Sequence, residues 1–254
     1  AARVNSSADI TSIKQADDVL DAMTKLGFQH KPRVTPVRHK GTPGNLANEP
    51  MLQKIEALLA ERTACVKLGP GAPHALIPDG VLATWVSDHG DLVELSLWSR
   101  ESEPGRSAVL LPGGVLLDTR RAAPPPAAIV RPEAGAVLYE PDPAVIRAGL
   151  VDRLAGRLKA RRVHADIAYL VAAEPRDTPF ATTFEVLQVL DAGERTLKGW
   201  VREQRVGTLE IKKRGVDIDP AALRRRLKPA GPNSATLVLT PTPDGARALV
   251  VRRL

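Results

Sequence analysis

The strongest constraint in this sequence lies between Ile167 and Arg253, where short apolar runs alternate with capped helical stretches. IAYLV (167–171), FEVLQVL (184–190), TLEIK (208–212) and ATLVLT (235–240) have the length and β-branched content of strands. A helix is expected from about Glu194 to Gln204. A second begins at Asp219-Pro220, a capping residue followed by proline at the first helical position, and runs to Lys228. Pro243-Asp244-Gly245 then turns the chain into ALVVRR, a closing hairpin. Strands that alternate with helices and finish in a hairpin predict a compact α/β module.

The stretch Arg205–Asp219, RVGTLEIKKRGVDID, sets the character of that module. Alternation along the strand sends Leu209 and Ile211 to one face and Glu210 and Lys212 to the other, with Lys213 and Arg214 at its end. The helix that follows carries Arg224, Arg225, Arg226 and Lys228 outside an inner stripe of Leu223 and Leu227. Three successive arginines spread around an exposed side at about 100° per residue. Such a fan meets phosphates by geometry, without sequence preference. From Arg195 to Leu254 there are 14 Lys+Arg against 5 Asp+Glu, a balance of +9, while the rest of the chain carries 22 against 24, or −2. The excess points to a polyanionic partner at this end, nucleic acid before membrane. The competing reading is a merely solvated basic face. Aromatics make up only 3% of the chain, so base stacking has little to work with.

Upstream, SIKQADDVLDAMTKLG (Ser12–Gly27) reads as an amphipathic helix capped by Ser12 and stopped by Gly27. Gln29–Pro50 holds four prolines and six basic or imidazole side chains, which predicts a linker or a surface-bound arm. Met51–Arg62 reads as a helix, followed by a short buried strand in TACVKLG and a turn at Gly69-Pro70-Gly71, half of a doubly wound unit. VLATWVSD and DLVELSLW form a hairpin at His89-Gly90, and SAVLLPGGVLLD a second at Pro112-Gly113-Gly114. Ala122–Pro126 is a surface loop. Asp142-Pro143 opens a helix expected to continue through Lys159, with Arg161 and Arg162 at its basic exit.

Catalytic signatures are lacking. The five histidines, His30, His39, His74, His89 and His164, show no metal-ligand spacing, and no metal is expected. No Gly-x-Ser-x-Gly, Walker loop or Gly-x-Gly-x-x-Gly occurs. Lys67 and His74, flanking Gly69–Gly71, are the polar groups there that could face a ligand; a strand-ending turn is the simpler account. Glu140 and Asp142 are close in sequence, but Asp142 is explained as a cap. A single cysteine, Cys65, permits no intrachain disulfide and suits the cytoplasm. Without an apolar run of roughly 20 residues or a signal-peptide core, a soluble protein is expected.

VKLGPGAPHALIP, DLVELSLW, LLPGG, YEPDPAVIRAGLV, TPFATTFEVL and, most specifically, GTLEIKKRGVDIDPAALRRRLK resemble the C-terminal part of a bacterial family of S-adenosylmethionine-dependent methyltransferase-like proteins that end in a THUMP-like domain. The resemblance covers Met51 to Leu254. It implies a partial Rossmann-like, methyltransferase-type sheet over 51–165 and a smaller α/β THUMP-like module over 166–254, after an N-terminal helix and basic linker over 1–50. By analogy the module binds RNA, ribosomal or transfer, with Lys212, Lys213, Arg214, Arg224, Arg225, Arg226 and Lys228 as its phosphate contacts. The family's glycine-rich donor loop, ribose-binding acid and catalytic Asp-Pro motif are absent upstream of Met51. The resemblance therefore assigns no catalytic residue and leaves open whether the chain is an enzyme; no cofactor is expected of this chain alone, and S-adenosylmethionine only if a donor-binding half is supplied. Three functions follow as expectations: an RNA-associated binding protein, the C-terminal portion of an active RNA methyltransferase, or a structural ribonucleoprotein subunit.

Overall fold

In the computed structural model the described residues are 49–61, 64–99, 103–119 and 124–254. The helix expected over 12–27 and most of the proline-rich stretch over 29–50 lie outside them. The structure is mixed α/β and forms two compact units. One comprises the described residues from 49 to 119 with Asp142–Leu150, the other Pro124–Pro141 with Val151–Leu254.

In the first unit, helix α1 (Glu49–Glu61) buries Ile55 and Leu59, one turn apart on a single face. Strands β1 (Cys65–Leu68), β2 (Leu82–Asp88), β3 (Asp91–Trp98), β4 (Gly105–Leu111) and β5 (Val115–Asp118) form one sheet in the order β1-β3-β2-β4-β5. Both expected hairpins are present. His89 and Gly90 take φ of 50° and 88°, the two positive values that a tight hairpin turn requires. β1 is not the buried strand expected from TACVKLG. It is a half-buried edge strand, antiparallel to β3, because among the described residues only one of its sides has a partner. The parallel pair of this sheet is β2 with β4.

The helix expected to run unbroken from Asp142 to Lys159 is two helices. Asp142 caps α2 (Pro143–Arg147) by accepting a hydrogen bond from the Ala144 amide at 2.7 Å. At Gly149 the backbone turns left-handed, φ 70°, a conformation glycine adopts without the Cβ penalty. There the chain passes from the first unit to the second, and α3 (Val151–Leu158) follows. Arg161 and Arg162 are likewise no helix exit but the start of strand β7 (Arg161–His164), where Arg162 Nε donates to Asp152 Oδ1 at 2.8 Å.

The second unit adds β6 (Val137–Pro141), β8 (Ile167–Ala172), β9 (Ala181–Asp191), helix α4 (Glu194–Glu203), β10 (Val206–Lys213), helix α5 (Pro220–Leu227), β11 (Asn233–Thr242) and β12 (Gly245–Arg253). Its seven strands lie in the order β10-β11-β12-β9-β6-β8-β7. β10 and β11 run parallel and are joined through α5, as a crossover requires; the other neighbours are antiparallel. The two sheet faces alternate by residue. Leu237, Leu239, Ala248 and Val250 pack with Leu197, Trp200 and Val201 of α4 and with Leu223 and Leu227 of α5. Val238, Leu249 and Val251 face the opposite way, onto Tyr169, Phe184 and Val186. The boundary expected between 165 and 166 falls at the β7–β8 hairpin, inside this sheet.

Candidate nucleic-acid interface

The sequence places the basic set on β10 and α5, and the fold decides which of those cations face solvent. On β10, Leu209 and Ile211 are buried and Glu210 is exposed, as the alternation predicts; Lys213, on the parity of the buried pair, is exposed because the strand ends there. Lys212 and Arg214 turn towards Glu140 at the end of β6. Lys212 Nζ lies 2.8 Å from Glu140 Oε2 and 5.6 Å from the Phe184 ring centre; Arg214 Nη2 lies 3.7 Å from Glu140 Oε1, and its guanidinium stands 5.3 Å over Tyr169. The Tyr169 hydroxyl donates to Glu140 Oε1 at 3.3 Å. Burial, and then the Glu140 charge, raise the Tyr169 pKa well above the ordinary tyrosine value, so the hydroxyl stays a donor. This cluster ties β6, β8 and the end of β10 together, with both cations sharing the one Glu140 carboxylate.

Helix α5 starts where Asp219 Oδ1 accepts from the Ala221 and Ala222 amides at 2.8 and 3.2 Å. It presents Arg224, Arg225 and Arg226 outward, all exposed, above buried Leu223 and Leu227. Arg226 Nε pairs with Glu194 Oε2 of α4 at 2.7 Å. Of the seven cations expected to meet phosphate, Lys213, Arg224, Arg225 and Lys228 are exposed and, among the described residues, form no salt bridge; the charges of Arg225 and Lys213 reach Asp219 without pairing with it.

The structure also gathers a group that the sequence reading counted as charge without assigning. A cleft of about 810 Å³ is lined by α4, by Arg205-Val206 and by the segment 227–232. Arg195, Lys198 and Arg202 reach it from one stripe of α4, three and four residues apart. Arg205 and Lys228 complete a lining of five cations with no carboxylate. Gly199 sits in the middle of the stripe, where an added Cβ would meet nothing within 4 Å. Gly231 is required for the opposite reason: a Cβ there would stand 1.7 Å from the Arg205 carbonyl oxygen. The Ala230 and Gly231 amides both donate to the Val206 carbonyl at 3.0 Å, so the donors left for a ligand are side chains. The spacing of Arg195, Lys198 and Arg202 was the sequence signal for this cleft; its other wall comes from residues far along the chain.

The candidates in the first unit are occupied by structural partners. Lys67 pairs with Glu94, which is buried and also accepts from Ser96. His74 Nε2 donates to the Arg147 carbonyl at 3.0 Å, and its ring lies 5.3 Å from that of Trp85. Partial burial and the charges of Arg106 and Arg147 lower its pKa, so it stays neutral. Burial, with the Glu94 charge adding to it, pushes the Cys65 thiol up to about 12, far from a reactive thiolate. Among the described residues no three His, Cys, Asp or Glu side chains converge as a metal site would need.

The described strands of the first unit, the part expected to be methyltransferase-like, do not build an S-adenosylmethionine pocket of the Rossmann type. A donor pocket of the Rossmann type needs a strand that feeds a helix N-terminus through a glycine-rich loop. β2 and β4 instead end in tight hairpins, and β1 leads only to a single 3₁₀ turn, His74–Leu76. No helix of the described residues is long and apolar enough to cross a membrane.

Residues 181–253 match the family model described as THUMP domain-like. Two curated relatives, named as uncharacterized S-adenosylmethionine-dependent methyltransferases of Mycobacterium tuberculosis strains CDC 1551 / Oshkosh and ATCC 25618 / H37Rv, are 37% identical over 158 residues. The match covers 61% of this chain but 42% of each relative, so the chain spans less than half the length of those proteins. The crystal structure of a protein named as a methyltransferase from Porphyromonas gingivalis W83 superposes with a TM-score of 0.61 at 22% identity, over 81% of this chain and 55% of that one. At that identity it is a likeness of fold. The resemblance read from the sequence blocks stands: the chain is similar to methyltransferase-like proteins and carries a THUMP-like domain at its C-terminal end.

Proposed function

We propose, from the premise that this chain ends in a THUMP-like domain, that it is an RNA-associated binding protein which holds the phosphodiester backbone through that domain. The observation that carries the reading is the coincidence of the matched segment, 181–253, with the +9 balance of the last sixty residues. Lys213, Arg224, Arg225 and Lys228 are the exposed cations of the expected set and the first proposed contacts; Lys212 and Arg214 support them structurally through Glu140. Contacts of this kind position an RNA without reading its bases.

A second reading rests on the names of the curated relatives. In it the chain is the C-terminal portion of an S-adenosylmethionine-dependent RNA methyltransferase, and the donor, when bound, supplies the methyl group from a half outside these residues. The described residues would then bind and orient the RNA.

Fluorescence anisotropy with a structured RNA at increasing salt tests the binding claim. Binding should weaken with a log–log slope of roughly −0.7 to −0.9 per phosphate engaged. The double variant R224E/R225E should lose about tenfold or more in affinity and flatten that slope. Unchanged affinity in that variant removes the outer arc of α5 from the interface.

A further inference from the structure

We infer that the cleft between α4 and the segment 227–232 is the seat of a single polynucleotide strand, held by its phosphates; this rests on the RNA-binding reading above and locates it. Three independent features of the cleft point the same way. The first is charge: Arg195, Lys198, Arg202, Arg205 and Lys228 converge on one concavity with no carboxylate in its lining, whereas Lys212, Arg214 and Arg226 are matched by Glu140 or Glu194. Like charges gathered this closely repel one another, and a bound polyanion relieves that repulsion.

The second feature is shape. A volume of about 810 Å³ lies in the range of ligand-binding clefts. A concave wall admits a strand or a chain end, while a double helix would touch only the rims. Gly199 keeps the middle of the α4 stripe open, although glycine inside an exposed helix is unfavourable. The third feature is backbone strain. Arg205 and Lys228 both hold the left-handed conformation, φ 51° and 50°, and both line the cleft. Long cationic side chains stand where glycine would be easier, a pattern associated with functional positions.

The lining also sets what the cleft does not read. Trp200, the aromatic of α4, is buried, and its Nε1 donates to Gln188 Oε1 at 2.7 Å, so no ring is offered for stacking. The strand is held without base preference. Five phosphate contacts on a single strand predict a log–log salt slope of roughly −3.5.

The test uses the full chain and a fluorescein-labelled single-stranded RNA, with the same RNA annealed to its complement as a second probe. R195E/R202E reverses two exposed cations that form no salt bridge among the described residues, and Gly199→Leu fills the cleft without changing charge. Both variants should weaken single-strand binding by about tenfold or more, and the wild-type chain should prefer the single strand to the duplex. Charge reversal that weakens binding while Gly199→Leu binds like the wild type overturns the cleft as the seat. So does wild-type affinity in both variants alongside loss in R224E/R225E, and that result leaves the RNA-binding function standing. Absence of salt-dependent RNA binding in the wild type removes the function and the cleft assignment together.

Discussion

Lys228 and Arg205 each close a structural element in the left-handed region and also project a cation into the same cleft. Stability and binding are therefore separable at Lys228. Lys228→Gly removes the Cβ penalty at the end of α5 and is expected to raise unfolding stability by about 0.5–1 kcal/mol. It should lower RNA affinity at the same time; urea unfolding and anisotropy on one preparation check both signs. Asp219 offers a pH test. The Ala222 and Ala221 amides that donate to its carboxylate hold it below the ordinary 3.8. A depressed acid contributes stability that is present above the unfolded value and lost as pH falls through the folded value. The amide resonances of Ala221 and Ala222 should therefore titrate with a midpoint below 3.8, and that titration should be absent in Asp219→Asn. A midpoint at or above 3.8 contradicts the cap.

At the scale of elements, two glycines of one cleft predict opposite outcomes. Gly199→Ala meets open space in an exposed helix and should stabilise by about 1 kcal/mol. Gly231→Ala meets the Arg205 carbonyl and should destabilise by about 2 kcal/mol or more, since backbone must move. Denaturant midpoints of the two variants, displaced in opposite directions, are the check. The elements from β8 to β12 were legible in the sequence because each shows its own period and carries turn or cap residues at its ends. The break at Gly149 was not legible. Val145, Ile146, Leu150, Leu154 and Leu158 keep helical phase across it, although Val145 is buried in the first unit and Leu154 and Leu158 in the second. β6 and β7 escaped for a related reason: β6 is five residues long and ends in proline, and β7 buries only Val163. Glu140 is 72 residues from Lys212, so no local pattern could announce that pair.

At the scale of the molecule, the placement of charge proved more informative than its total. The +9 of the last sixty residues was visible in the sequence, but its division was a product of folding. The sheet brings Glu140 under Lys212 and Arg214, and helix pairing brings Glu194 to Arg226, leaving an exposed arc and a carboxylate-free cleft. The first unit shows the other side of this. Its candidate polar groups, Lys67 and His74, are absorbed by Glu94 and by the Arg147 carbonyl, which leaves the second unit as the place to look for a ligand. The most direct measurement is ultraviolet crosslinking of the chain in cells, followed by identification of the RNA-bearing peptides. Crosslinked RNA is expected on peptides between Arg195 and Lys228; crosslinks confined to residues before Pro124, or no RNA at all, rule out the THUMP-like domain as the RNA-holding part.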